Sequence, residues 1–205
     1  MTENQQLITN NHELATDEYQ LVLRAAKGDF DSFEELIKLY TQPLWKFVYR
    51  LLGNAEDAND AVQQILIQLY RSLPNLDDPA RFRPWLFRVA RNKCLDHLRR
   101  KPSLTFSDFN SDDFEGDMSP LQLFPDPTPL PNEIIERRET QALLYEAIAS
   151  LPERTRQVVA LRYSTDLSFG EIGEVLGINE NSAKTLFQRA KAPLRFYLRQ
   201  RLFEF

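Results

Sequence analysis

The sequence predicts an all-α protein of two small helical domains joined by an acidic, proline-rich linker. Three observations carry this. Apolar residues recur at the three- and four-residue spacing of helix faces, with no convincing apolar–polar alternation of a strand. The periodic segments are bracketed by capping and stopping residues. Between residues 102 and 132 the periodicity fails: that stretch holds six of the chain's twelve prolines and six acids without a base, a composition that supports neither helix nor core. The expected division is a flexible N-terminus over 1–16, a helical domain over 17–101, a linker over 102–132 and a second helical domain over 133–205.

In the first domain, "TDEYQLVLRAAKGD" reads as a helix capped by Thr16 or Asp17 and stopped at Gly28. The next pattern, "DSFEELIKLYTQPLWKFVYRLLG", places Phe33, Leu36, Ile37 and Tyr40 on one stripe. Pro43 is expected to kink or split it, and Gly53 to end it. "NAEDANDAVQQILIQLYRSL" has Asn54 as cap and acids in its first turn, where they meet the positive helix end. Pro74 stops it, "NLDDPA" turns the chain, and "FRPWLFRVARNKCLDHLRR" runs as a helix to Pro102. Trp85, Leu86, Val89 and Ala90 share helical spacing and read as core, and Cys94 as a buried small residue.

In the second domain, "NEIIERRETQALLYEAIASL" is capped by Asn132 and stopped at Pro152, which opens the next helix, "PERTRQVVALRYSTD". Ser168 and Glu171 form a capping box. Gly173 allows close helix approach, Gly177 makes a turn, and Ile178 and Ala183 plug the space between two helices. The second of these, "INENSAKTLFQRAKAPLRFYLRQRL", is basic, with Asn181 or Ser182 as a possible cap and Pro193 interrupting it. This is a helix-turn-helix signature.

Charge is segregated along the chain. Its total of −5 conceals a net of −7 over residues 1–80, +7 over 81–101, seven acids and no base over 102–133, and six bases with no acid over 184–201. Such alternation suits a protein that touches both nucleic acid and a protein partner. No apolar run reaches membrane-spanning length, no secretory signal opens the chain, and the single cysteine precludes an internal disulfide, all consistent with a cytoplasmic protein. The two histidines, His12 and His97, stand far apart, so no metal site is expected, and no phosphate loop or nucleophile motif points to an enzyme or a cofactor.

Four blocks in order, "AAKGDFDSFEELIKLY", "EDANDAVQQILIQLYRSL", "FRPWLFRVARNKCLDHLRR" and "LPERTRQVVALRYSTDLSFGEIGEVLGINENSAKTLFQRAK", resemble the short, extracytoplasmic-function (group IV) sigma factors of bacterial RNA polymerase, over about residues 17–201. The resemblance implies that the first domain, sigma region 2, binds the β′ clamp helices of core RNA polymerase and captures the minus-ten promoter element as single-stranded DNA. The second, region 4, would bind the β flap and read the minus-thirty-five element as duplex. An anti-sigma factor is an expected partner, and the acidic linker would thread a channel built for nucleic acid. Its apolar residues, among them Phe106, Phe109 and Phe114, exceed what a plain spacer needs.

Polymerase contact falls on Asp60, Gln63 and Gln64, where the family's D-x-x-Q-E has lost its last acid. Minus-ten candidates are Asn75 in the base-capturing loop, the phosphate-neutralising Arg81, Arg83, Arg88, Arg91 and Lys93, and Asn92, whose amide offers both donor and acceptor to an extruded base. Minus-thirty-five candidates are Glu180, Asn181, Ser182, Lys184, Thr185, Gln188 and Arg189. Lys184 and Arg189 suit phosphates and Gln188 an adenine edge. Leu186 stands where the family commonly has arginine. The rival reading is a free-standing helix-turn-helix regulator, which would need neither a melting helix nor a polymerase-binding one.

Overall fold

The computed structural model describes residues 17–100 and 143–202. The N-terminal stretch 1–16, the linker, Asn132 as a cap and the last three residues lie outside them. Every regular element among the described residues is a helix or a 3₁₀ turn.

Helix α1 covers residues 17–26 and ends at Gly28, whose φ of 95° is left-handed, as expected of a helix stop. Helix α2 (Phe30–Leu52) is capped by Asp29 and closed by Gly53 in the left-handed region. Pro43 sits inside it without dividing it. The carbonyl that Pro43 cannot satisfy belongs to Leu39, four residues back, and Leu39 is exposed, so water can take that bond. The expected split is therefore absent. Helix α3 (Ala55–Ser72) is capped by Asn54, whose side chain accepts from the Asp57 backbone at 2.8 Å. Two 3₁₀ turns, Leu73–Asn75 and Pro79–Arg81, lead into α4 (Phe82–Arg100).

Helices α2, α3 and α4 pack together around Leu36, Leu44, Phe47, Ile65, Leu69, Phe82, Leu86 and Phe87, all essentially inaccessible. Their rings meet edge to face, Tyr40 against Phe82 at 5.2 Å and Phe47 against Phe87 at 5.7 Å, the arrangement that ring quadrupoles favour. Trp45 stacks on Tyr49 and donates to Asn59 at 2.8 Å, tying α2 to α3. Cys94 is fully buried, as its position predicted, and burial pushes its thiol up to about 12.

The second half comprises α5 (143–149), α6 (Glu153–Ser164), α7 (Phe169–Leu176) and α8 (Glu180–Leu202). Both arms of the Ser168/Glu171 capping box form. A Cβ added to Gly173 would stand 2.6 Å from the Ile178 carbonyl oxygen, so close approach of the turn requires glycine there. Gly177 turns the chain at φ 66°. The cap of α8 is neither Asn181 nor Ser182: the Asn179 side chain accepts from the Ser182 backbone at 2.7 Å. Asn179 lies at the entry to the first turn, where a carboxamide reaches the orphaned N–H groups. Pro193 does not end α8. Its freed carbonyl belongs to Arg189, which is exposed to water.

The two halves touch. Helix α6 packs on α2 and α7 on α4, and one apolar core runs from Leu36 and Phe87 through to Val158, Leu161, Ile172 and Ala183. Arg50 on α2 donates across this seam to the Ser164 hydroxyl, with its guanidinium 5.9 Å from the Tyr145 ring centre.

Candidate nucleic-acid and polymerase interfaces

The basic helix α4 distributes its charges over several faces. Arg88, Asn92 and Arg99, at i, i+4 and i+11, share one exposed face. Among the described residues the Asn92 amide makes no hydrogen bond within the protein, which leaves its donor and acceptor available. Arg99 is held by Asp96 at 3.2 Å on the surface. Trp85 lies on this side too, half-buried, packed against the core with its ring 6.3 Å from Phe82. That agrees with its reading as core and leaves one edge toward solvent.

The other basic residues turn elsewhere. Arg83 reaches back to α1, with its Nε 2.9 Å from one Glu18 carboxylate oxygen and 3.1 Å from the Tyr40 hydroxyl. Burial alone would lower the Arg83 pKa, but Tyr40 and Glu18 outweigh it and hold the guanidinium above its ordinary value. Burial, with Glu18 beside it, raises Tyr40, whose hydroxyl donates to the same carboxylate. In this arrangement Arg83 neutralises a carboxylate of its own chain rather than a phosphate. Lys93 leans toward α3, 3.5 Å from Gln64. Arg91 donates to the Gln157 side chain at 2.9 Å, and Arg88 to the Glu174 backbone carbonyl at 2.9 Å. Both of those bonds cross the seam to the second half. Arg81 and Asn75 are exposed in the turns before α4, Arg81 3.9 Å from Asp78.

On α3, Asp60, Gln63 and Gln64 are all exposed, as a contact surface requires. The sequence reading missed two neighbours. Ile67 is 52% exposed and Tyr70 is 64% exposed, unusually open for large apolar side chains. Asp60, Gln64, Ile67 and Arg71 follow at i, i+4, i+7 and i+11, so Ile67 completes that face. The signal was in the spacing: Val62, Ile65 and Leu69 define the core stripe, and Ile67 falls out of phase with it.

On α8, Glu180, Asn181, Lys184, Thr185, Gln188 and Arg189 are exposed and Ser182 half-exposed. Lys184 pairs with Glu180 at 2.6 Å on the surface, a contact of small energetic weight. The Thr185 hydroxyl donates to the Asn181 carbonyl, so it is turned toward its own helix. Leu186 is half-buried against the core, which explains why an apolar residue stands there. Phe187 fills the space between α6 and α7, 5.4 Å from Phe169. The loop before α7 is braced by Arg162, which donates to the Leu167 carbonyl at 2.9 Å and lies over Phe169.

No helix among the described residues is long and apolar enough to cross a membrane, and no group of three potential metal ligands occurs among them.

Two family models match this arrangement in order: Sigma-70 region 2 over residues 36–103 and Sigma-70 region 4 over residues 141–194. The chain is 32% identical to the ECF RNA polymerase sigma factor SigW of Bacillus subtilis, across 87% of this chain and 95% of that protein. It is 29% identical to the RNA polymerase sigma-H factor of Pseudomonas aeruginosa, across 84% of this chain and 89% of that one. Among solved structures, CnrH in complex with the cytosolic domain of CnrY superposes with a TM-score of 0.65 at 22% identity, across 89% of this chain and 97% of that one. RpoE of Bartonella quintana in complex with the anti-sigma factor NepR gives 0.59 at 18%, across 82% and 96%. These two likenesses are of fold, whereas the region 2 and region 4 matches and the near-full-length identity to SigW are of sequence as well. The chain therefore belongs to the extracytoplasmic-function sigma factors of bacterial RNA polymerase, and its function is to direct transcription initiation.

Proposed function

We propose a division of labour along the chain. Residues 17–101 form the unit that binds core polymerase and opens the minus-ten element. Residues 133–205 form the unit that reads the minus-thirty-five duplex. In the first unit the α3 face of Asp60, Gln63 and Gln64, extended by Ile67 and Tyr70, meets the β′ clamp helices. Ile67 and Tyr70 supply desolvated apolar area to a contact whose charge pairing is reduced by Gln64. Asn92 grips an extruded base while Arg88 and Arg91, once freed from the second half, hold the backbone of the melted strand. In the second unit Lys184 and Arg189 hold phosphates on either side of the groove and Gln188 reads a base edge.

The observation that carries this reading is that one chain presents two separate helices suited to DNA, α4 with Arg88 and Asn92 and α8 with Lys184 and Gln188. A free-standing regulator uses only the second. A protein partner of the anti-sigma kind, as in the RpoE–NepR complex, is expected to act by holding the two units together. The work assigned here lies in the cytoplasm, where promoter DNA and polymerase are, and it assigns the chain no catalysis and no cofactor of its own. The test is run-off transcription from promoter fragments with purified core polymerase. Promoter-dependent transcripts are expected. Tight duplex binding without polymerase, together with no transcript in its presence, would overturn the assignment in favour of the regulator.

A further inference from the structure

Helix α8 continues beyond the family match. The region 4 match stops at residue 194, while the helix runs to Leu202 without a break. Along it Asn181, Lys184, Gln188, Lys191, Arg195 and Arg199 are spaced by three or four residues, which places them on one stripe, and every one is exposed. The opposite side holds Ala183, Ala190 and Leu194, packed on the rest of the second half. The distal part is anchored rather than dangling, since the Tyr197 hydroxyl donates to Glu146 of α5 at 3.0 Å. No acid occurs in α8 after Glu180, and among the described residues Arg195 and Arg199 have no acidic partner. An ordinary solvated helix face interleaves both signs; this one does not. Pro193 lies nine residues from Lys184, on the far side from the stripe, so any bend it introduces opens its own side and turns the basic side inward.

We propose that Arg195 and Arg199 form a phosphate clamp on duplex DNA, extending the footprint of the recognition helix over the backbone that flanks the groove. This rests on the reading of α8 as the minus-thirty-five helix. With a rise of 1.5 Å per residue, Arg195 and Arg199 stand about 16 and 22 Å along the axis from Lys184. The major groove is about 12 Å wide, so with α8 crossing it, same-face residues at that distance would lie beyond its edge, over the flanking phosphates. Contacts there carry charge without base information, so they add affinity uniformly across sequences.

The experiment uses holoenzyme reconstituted from core polymerase and the full chain, on labelled promoter fragments, with affinity measured from 50 to 200 mM salt. Arg195→Ala/Arg199→Ala should lower the slope of log K against log salt by about 1.8, at about 0.9 per phosphate contact. Across that fourfold salt range the wild type's advantage then shrinks by about tenfold. The preference for the true minus-thirty-five element over a scrambled one should not change, and Arg195→Lys/Arg199→Lys should restore the slope. An unchanged slope in a protein that still prefers the true element overturns the clamp alone. Absence of any preference in the wild type overturns the reading beneath it. Weaker assembly with core polymerase in the absence of DNA would reassign the stripe to a protein contact and likewise overturn the proposal.

Discussion

Asn92 and Lys93 are neighbours in the chain and face different ways. The first opens to solvent beside Arg88, the second leans to Gln64 on α3. A base gripped by an amide contributes about 1–3 kcal/mol, so Asn92→Ala should slow open-complex formation by roughly tenfold or more while leaving polymerase affinity unchanged. Permanganate footprinting of the melted strand and a polymerase-binding assay separate the two, and equal losses in both would remove the base-gripping role. Cys94 supports a different prediction. Its folded thiol is raised from 9.0 to about 12 by burial. Between those values the folded chain keeps a proton that the unfolded chain releases, so stability falls as pH rises above about 9. The limiting slope is about 1.4 kcal/mol per pH unit. Urea midpoints measured at pH 8 and 10 should diverge less in Cys94→Ala than in the wild type.

The helix-turn-helix depends on two glycines for different reasons. Gly177 supplies a left-handed φ, while Gly173 supplies absent volume against the Ile178 carbonyl. Gly173→Ala should cost about 1–3 kcal/mol, because the obstructing atom is backbone and cannot swing aside. Thermal unfolding measures it, and a shift of less than a degree would mean the turn relaxes. Elements like this were legible in the sequence because their signals are local: Asn54, Ser168 with Glu171, and Gly177 act within four residues of themselves. The cap of α8 lies two or three residues before the expected Asn181 or Ser182, because "NENS" offers three capping side chains and only the backbone path selects Asn179. The split allowed at Pro43 and the interruption expected at Pro193 do not occur, because the cost of each depends on whether a carbonyl four residues back can reach water, which a sequence does not state. The Arg83–Glu18 pair spans 65 residues, so the reading of Arg83 as a free phosphate ligand had no local signal against it.

At the scale of the whole molecule, Arg88 and Arg91 have two claims on them. Both are candidates for the melted strand, and both are bonded to the second half across the seam. The segment 102–132, which the sequence predicts to be a linker, would let the halves meet or part, and its composition does not say which residues they would share. Gln157 is 2% exposed and holds Arg91 from α6. Gln157→Ala leaves that guanidinium unpaired, and a hydrogen bond to a charged group contributes about 1.5–3 kcal/mol. The free chain should therefore expand, read as a larger radius of gyration by small-angle X-ray scattering with unchanged helix content. Arg50→Met should act in the opposite sense, keeping the apolar stem in the seam while removing a buried charge. Expansion of that variant would show the Arg50–Ser164 bond to be the dominant tie.

Arg50 gives the seam a built-in spring. Burial lowers its pKa, with Tyr145 opposing, and among the described residues its Nε finds no hydrogen-bond partner. Closing strips water from this cation, and parting the halves returns it. Were the halves to part, the Arg50–Ser164 bond and the bonds that hold Arg88 and Arg91 to the second half would break together, and all three guanidinium groups would return to water. A side chain on no candidate DNA face thus shares its fate with two that are.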